Sequence, residues 1–122
     1  MKKISIVIPI FNEEQIIPIL IERLQNIISK IKDYTFEVIF IDDGSIDDSV
    51  NIISSRLKDV EMNFLVKIIE LSRNFGHQAA VTCGIDNASG DALIMMDADL
   101  QDPPELIPDM IKSWEKVTML ST

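Results

Sequence analysis

The chain has 122 residues, with 11 basic and 20 acidic side chains, a net charge of −9, and 47% hydrophobic residues. Nucleic-acid binders cluster Lys and Arg to release counterions from phosphates, so this charge argues against nucleic acid as a partner and against a polybasic membrane-docking patch. A chain this apolar buries enough surface to offset its ordering entropy, which points to one globular domain over residues 1–122.

In chain order, Met1-Lys2-Lys3 and the following Ile4-Ser5-Ile6-Val7-Ile8-Pro9 look like the opening of a signal peptide. Pro9 and then Asn12-Glu13-Glu14 end that apolar run, and a buried strand over residues 4–9 is the better reading. Ile16, Ile17, Leu20, Ile21, Leu24, Ile27, Ile28 and Ile31 then form a helical stripe, leaving Glu22, Arg23 and Lys30 for solvent. Pro18 would clash with the carbonyl four residues earlier, so the regular part of this helix is predicted to begin there. Further strands are predicted over residues 37–41, 66–71 and 92–96, and further helices over residues 47–58, 75–88 and 103–114. In the last helix Leu106, Ile107, Met110, Ile111 and Trp114 are expected to face inwards. Val117-Thr118-Met119-Leu120-Ser121-Thr122 begins like another strand without a partner, so the chain reads as cut short.

Strands apolar on both faces, alternating with helices, predict an α/β fold of Rossmann type: a parallel sheet with helices on both faces. The longest apolar stretch elsewhere, residues 16–21, is far short of the ~18 residues that would suggest a membrane span. Cys83 alone forms no internal disulfide and no Cys-based zinc site; a reducing cytoplasm is the expected location, and in mid-helix Cys83 reads as a small buried residue.

Ligands of open parallel sheets bind at the carboxyl ends of the strands. The loops there read Phe11-Asn12-Glu13-Glu14, Asp42-Asp43-Gly44-Ser45, Ser72-Arg73-Asn74-Phe75-Gly76-His77 and Asp97-Ala98-Asp99-Leu100-Gln101-Asp102. Helix capping explains part of this acidity: Asn12 with Gln15, Ser45 with Asp48, and Asp102 with Pro103, Pro104 and Glu105 have cap spacing. Asp42, Asp43, Asp97 and Asp99 remain, with no local amide donors in view, and like charges gathered at strand ends call for a cation or donor-rich ligand. Asp97-x-Asp99 suits Mg²⁺ or Mn²⁺, which take one or two carboxylates plus substrate phosphates, provided that the strand ends and the chain turns there. Asp42-Asp43 suits the ring N–H of a nucleobase, and a plain turn before Gly44 accounts for the pair equally well. Arg73, the one cation at this rim, is either a phosphate or base contact or a solvated arginine; His77 is assigned no catalytic part.

Taken together, residues 5–14, Asp42-Asp43-Gly44-Ser45, Leu71-Ser72-Arg73-Asn74-Phe75-Gly76 and residues 97–105 resemble the family 2 glycosyltransferases. Within them the likeness is to the polyprenyl-phosphate sugar transferases, the dolichol-phosphate mannosyltransferase and bactoprenol glucosyltransferase group. The resemblance implies the nucleotide-binding half of a GT-A fold and an inverting hexosyltransferase. That enzyme would move a sugar from a nucleoside-diphosphate donor, UDP-glucose favoured, to a polyprenyl phosphate. Pro9, Phe11 and Glu13 match the family's first nucleotide-binding segment, with Phe11 standing where relatives often have Tyr. Asp42 and Asp43 match its base-binding pair, Arg73 a loop position near the nucleotide, and Asp97, Asp99 and Gln101 its metal and diphosphate motif, with Asp97 and Asp99 as the catalytic pair.

The resemblance runs to Trp114 and covers about the first half of the family's catalytic domain, leaving the acceptor half absent. Full-length relatives are expected at the cytoplasmic face of the membrane. A sheet left open would be a route to homo-oligomers. The alternatives are a non-catalytic donor-binding fragment and a receiver-type Mg²⁺-binding signalling domain.

Overall fold

Apolar β-branched runs form the strands and the stripes of period 3.6 form the helices, as a parallel α/β sheet requires. A computed structural model describes residues 1–59 and 61–121. Its elements are β1 (Lys2–Ile10), α1 (Ile17–Ser29), β2 (Tyr34–Asp42), α2 (Ser49–Asp59), β3 (Leu65–Glu70), α3 (His77–Asp86) and β4 (Ala92–Met95). A 3-10 turn (Pro104–Leu106) and α4 (Ile107–Ser121) follow. All pairings are parallel, in the order β3-β2-β1-β4. The chain therefore winds one way from β1 to β3 and jumps to the other side for β4.

Successive residues of a strand point to opposite faces, and the two faces hold separate cores. Ile4, Ile6, Ile8, Ile10, Phe36, Val38 and Phe40 pack against α1, Ile53 of α2, and Ile107 and Ile111 of α4. Val7, Ile39 and Ile41 pack against Ala80 and Cys83 of α3. There α3 lies close: a Cβ on Gly84 would come within 2.3 Å of Val7 and 2.6 Å of Ile41. As predicted, Pro18 sits in the first turn of α1, where its missing N–H has no partner to lose.

Several expectations are corrected. Among the described residues only β1 and β2 are buried on both faces, because α3 packs mainly on them, leaving Leu93 and Met95 of β4 exposed. On β3, the opposite edge, Lys67 and Glu70 are exposed. Leu106 is exposed as well, whereas Ile107 and Ile111 are buried and Met110 and Trp114 pack against the core. The strand expected from Val117 is instead the last turn of α4, and Thr122 lies outside the described residues. Asn12, Ser45 and Asp102 are not helix caps: α1 begins after Ile16 and the 3-10 turn after Pro103, neither with a side-chain cap. Glu105 instead pairs with Arg23 of α1. No helix among the described residues is long and apolar enough to cross a membrane.

The amino-terminal end of the sheet carries a buried charge. Glu37 is paired in register with Ser5 and fully buried, and its Oε2 accepts from Ser5 Oγ (2.6 Å), Ser89 N (2.7 Å) and Ser89 Oγ (3.0 Å). Its Oε1 lies 3.0 Å from Lys67 Nζ and 3.6 Å from Lys3 Nζ. Burial pushes this carboxyl up, but the bonds from Ser5, Ser89 and Lys67 outweigh it and hold the pKa at about 2.

Candidate functional site

β4 pairs with β1 only as far as Val7, so beyond that point the two chains part and a crevice opens at the carboxyl ends of the strands. This is the topological switch point, where the order of an open sheet reverses and where such sheets bind ligands. A cleft of about 400 Å³ lies there, and its lining comes from all four strand-end loops. β1 contributes Pro9, Phe11 and Glu13; Asp43 follows β2; Asn74, Gly76 and His77 follow β3; Asp97 and Asp99 follow β4.

Each loop is fixed by bonds to its neighbours. Asn12, at a positive φ of 53°, donates its N–H to Ser45 Oγ at 2.9 Å and accepts from the Ile46 amide at 2.9 Å. The Glu13 amide donates to Ser49 Oγ, and the Glu14 amide to Asp47. These cross-loop bonds are why Asn12 and Ser45 do not cap helices. The next pair of loops is pinned more tightly: Gly44, at φ 79°, leaves room for the Asn74 amide, which a Cβ would approach to 2.5 Å. Glycine is required there for both its φ and its lack of a side chain.

The two carboxylates at the end of β2, Asp42 as its last residue and Asp43 just beyond, play different structural parts, and both find amide donors, contrary to the sequence reading. Asp42 is buried and accepts from the Ser45 amide through both oxygens at 3.3 Å, without lining the cleft. Asp43 is buried too, accepts the Phe75 amide at 2.8 Å and the Gly76 amide at 3.1 Å, and does line the cleft. Each ionised oxygen has two lone pairs, so Asp43 keeps acceptor capacity after both bonds.

β4 ends at Met95 and the chain turns at residues 98–99, which meets the condition set for Asp97 and Asp99 to share one cleft. Asp99 Oδ1 accepts the Gln101 amide at 3.1 Å, and between them Leu100 takes a left-handed φ of 65°. Asp97 Oδ1 lies 2.9 Å from Nε2 of His77. Burial raises the pKa of Glu13, and the negative charges of Asp99, Asp47 and Asp97 raise it further, so this end of the cleft concentrates negative potential.

Among the described residues no group of three or more His, Cys, Asp or Glu converges as a ready-made metal cage. The donors present are hard carboxylate oxygens, two of them on one turn, which fits a cation that takes one or two carboxylates and completes its shell from phosphate and water. Gln101 and Arg73 do not line the cleft; the Arg73 guanidinium stacks 4.3 Å from the centre of the Phe75 ring. His77, Asn74 and Gly76 also line the cleft, although no site role is assigned to them from sequence. The available signal was the position of Asn74 and Gly76 in a loop after a strand, next to His77, the chain's one histidine.

The sequence pattern of glycosyl transferase family 2 matches residues 5–119. The chain is 47% identical over 113 residues to the uncharacterized glycosyltransferase YkcC of Bacillus subtilis (strain 168), covering 92% of this chain and 33% of that protein. It is 42% identical over 113 residues to a prophage bactoprenol glucosyl transferase homolog of Escherichia coli (strain K12), covering 93% and 36%. It is 40% identical over 115 residues to an undecaprenyl-phosphate 4-deoxy-4-formamido-L-arabinose transferase of Yersinia enterocolitica, covering 94% and 34%.

The chain thus spans about a third of the length of the curated relatives it matches. Among solved structures, residues 1–349 of S. aureus TarS in complex with UDP-GlcNAc superpose with a TM-score of 0.67 at 25% identity, over 80% of this chain and 26% of that one. Glucosyl-3-phosphoglycerate synthase from Mycobacterium tuberculosis, with Mn²⁺, UDP and glucosyl-3-phosphoglycerate, gives a TM-score of 0.59 at 27% identity, over 88% and 37%. The parallel sheet and its helices are those of the GT-A glycosyltransferases, and the family pattern runs through all four strand-end loops: the chain belongs to glycosyl transferase family 2.

Proposed function

We propose that this α/β unit is the donor-binding half of an inverting glycosyltransferase that takes a sugar from a nucleoside diphosphate, UDP-glucose favoured, to a polyprenyl phosphate. The observation that carries this reading is the convergence of Phe11, Glu13, Asp43, Asp97 and Asp99 on one cleft at the switch point. The bactoprenol and undecaprenyl-phosphate transferases among its relatives support the acceptor, and the UDP complexes among its structural neighbours support the donor.

Phe11, partly exposed at the cleft, offers a face on which the base stacks. Asp43 accepts the ring N–H of the base while its bonds to Phe75 and Gly76 hold it in place. The diphosphate lies towards Asp97 and Asp99, beside the start of α3, whose N-cap Gly76 has no side chain to occupy the first-turn amides. Asp97 and Asp99 would hold Mg²⁺ or Mn²⁺, with Gln101 adjoining. The cation supplies charge neutralisation on the departing nucleoside diphosphate. A phosphate monoester acceptor, with a second pKa of about 6, is already anionic near neutral pH, so the cleft needs no side-chain base, and positioning is the protein's main task.

The test is calorimetric titration of the purified chain with UDP and GDP, each with and without Mn²⁺. Binding of UDP in preference to GDP, strengthened by Mn²⁺, is the expected result. Binding of neither nucleotide by a chain shown to be folded by circular dichroism would contradict the reading.

A further inference from the structure

We propose that His77 is a positioning residue for Asp97, holding one oxygen of that carboxylate so that the other is left for the cation; this rests on the donor-site reading above. Nε2 of His77 lies 2.9 Å from Asp97 Oδ1, and both residues line the cleft. In the tautomer that carries its ring proton on Nε2, His77 donates to this carboxylate oxygen. Asp97 Oδ2 has no hydrogen-bond partner among the described residues.

The histidine is itself anchored. It is the first residue of α3, and the amides of Phe75 and Gly76 just before it are held by Asp43 across the loop. The Gly76 carbonyl accepts the Ala80 amide at 3.1 Å and closes the helix's first turn. Asp43, Gly76, His77 and Asp97 therefore form a continuous link from the loop after β2 to the loop after β4, spanning the cleft between the base end and the diphosphate end.

The chemistry of the link favours orientation over stability. The two side chains are 67% and 46% exposed, and exposed pairs of this kind contribute about 0–1 kcal/mol to folding. An imidazole donating from Nε2 fixes a carboxylate oxygen through one directed hydrogen bond, whereas the permanent charge of Lys or Arg at the same place would also cancel the charge that attracts a cation. Partners that orient a ligand in this way commonly set metal affinity by about 10–100-fold.

The experiment follows the free Mn²⁺ signal by electron paramagnetic resonance as the wild-type chain, His77→Ala and His77→Gln are titrated in the presence of UDP, with GDP in parallel. Calorimetry with UDP alone and thermal melts accompany it. The Gln amide nitrogen reaches the place of Nε2 and restores the donor. His77→Ala is expected to weaken Mn²⁺ binding about tenfold or more, with His77→Gln within about threefold of wild type. Both variants should melt within about 3 °C of wild type and show unaltered metal-free binding of UDP.

Full Mn²⁺ affinity in His77→Ala, or no recovery in His77→Gln, would overturn the positioning role. Loss of metal-free UDP binding would overturn it too, making His77 a direct contact of the nucleotide. Failure of the wild-type chain to bind Mn²⁺ with either nucleotide would sink the donor-site reading and this inference together, and is seen before any variant is compared.

Discussion

Replacing Asp99 by Ala is expected to abolish the metal-dependent part of nucleotide binding, weakening it by more than about 100-fold, since even residues one shell beyond a ligand are worth about 10–100-fold. Asp99 has two parts that substitution can separate. Its carboxylate faces the cleft, and its Oδ1 accepts the Gln101 amide across the left-handed Leu100. Asn keeps an acceptor for that amide and loses the charge, so Asp99→Asn should retain the turn while binding the metal–nucleotide pair as poorly as Asp99→Ala. Of the neighbouring charges that raise the pKa of Glu13, Asp99 is the largest, after burial itself. Either substitution should therefore lower the Glu13 pKa towards its ordinary value, which an NMR titration of its side-chain carboxyl would follow. Wild-type metal-dependent affinity in Asp99→Asn would show that this carboxylate is not a ligand.

The second large effect belongs to the other end of the sheet. Glu37→Gln should destabilise the fold by about 3 kcal/mol, roughly 10 °C in melting temperature for a domain of this size, while leaving the cleft intact. Glu37 is buried among Ser5, Ser89 and Lys67, and its carboxyl is held at about 2 against an ordinary 4.5. Between those values the unfolded chain binds the proton and the folded chain does not, so stability rises with pH across that window. The contribution is fully present above about 4.5 and is lost as pH falls through about 2. Its size is about 3 kcal/mol, taken from the difference between the two values. Denaturant melts of wild type should steepen in their pH dependence below pH 4.5, and those of Glu37→Gln should lack that component. Equal acid sensitivity in the two proteins would show that other carboxylates dominate.

The parts of the fold legible in the sequence are those set by local pattern. The isoleucine stripe of α1, the late start at Pro18 and the apolar runs of β1 and β2 follow from period and backbone chemistry alone. Elements decided by neighbours were less legible. Leu93 and Met95 look like any buried strand, and only the placement of α3 over β1 and β2 leaves them exposed. Val117 has the branching of a strand residue, yet it follows Ile107, Met110, Ile111 and Trp114 at helical spacing and continues α4. In the site, the carboxylates after β4 could be read as a pair because their spacing is local. The donors to Asp43 are 32 and 33 residues away, and His77 is 20 residues from Asp97. Asn12 has the spacing of a cap and serves instead as a stitch to a loop 34 residues on. Hydrogen bonds across that span are set by the sheet order, which no short motif encodes.

In the proposed donor site the metal–diphosphate end lies at the switch point between β1 and β4. The most direct test is an amide NMR spectrum of the chain with UDP and substoichiometric Mn²⁺, whose unpaired electrons broaden only nearby signals. The amides of Phe11, Gly76, His77, Asp97 and Asp99 are expected to lose intensity first, while those of Ser89 and Gly90, at the Glu37 end of the sheet, stay sharp. Broadening centred instead on the acidic surface groove of Glu14 and Asp47, or spread evenly over the chain, would contradict that placement.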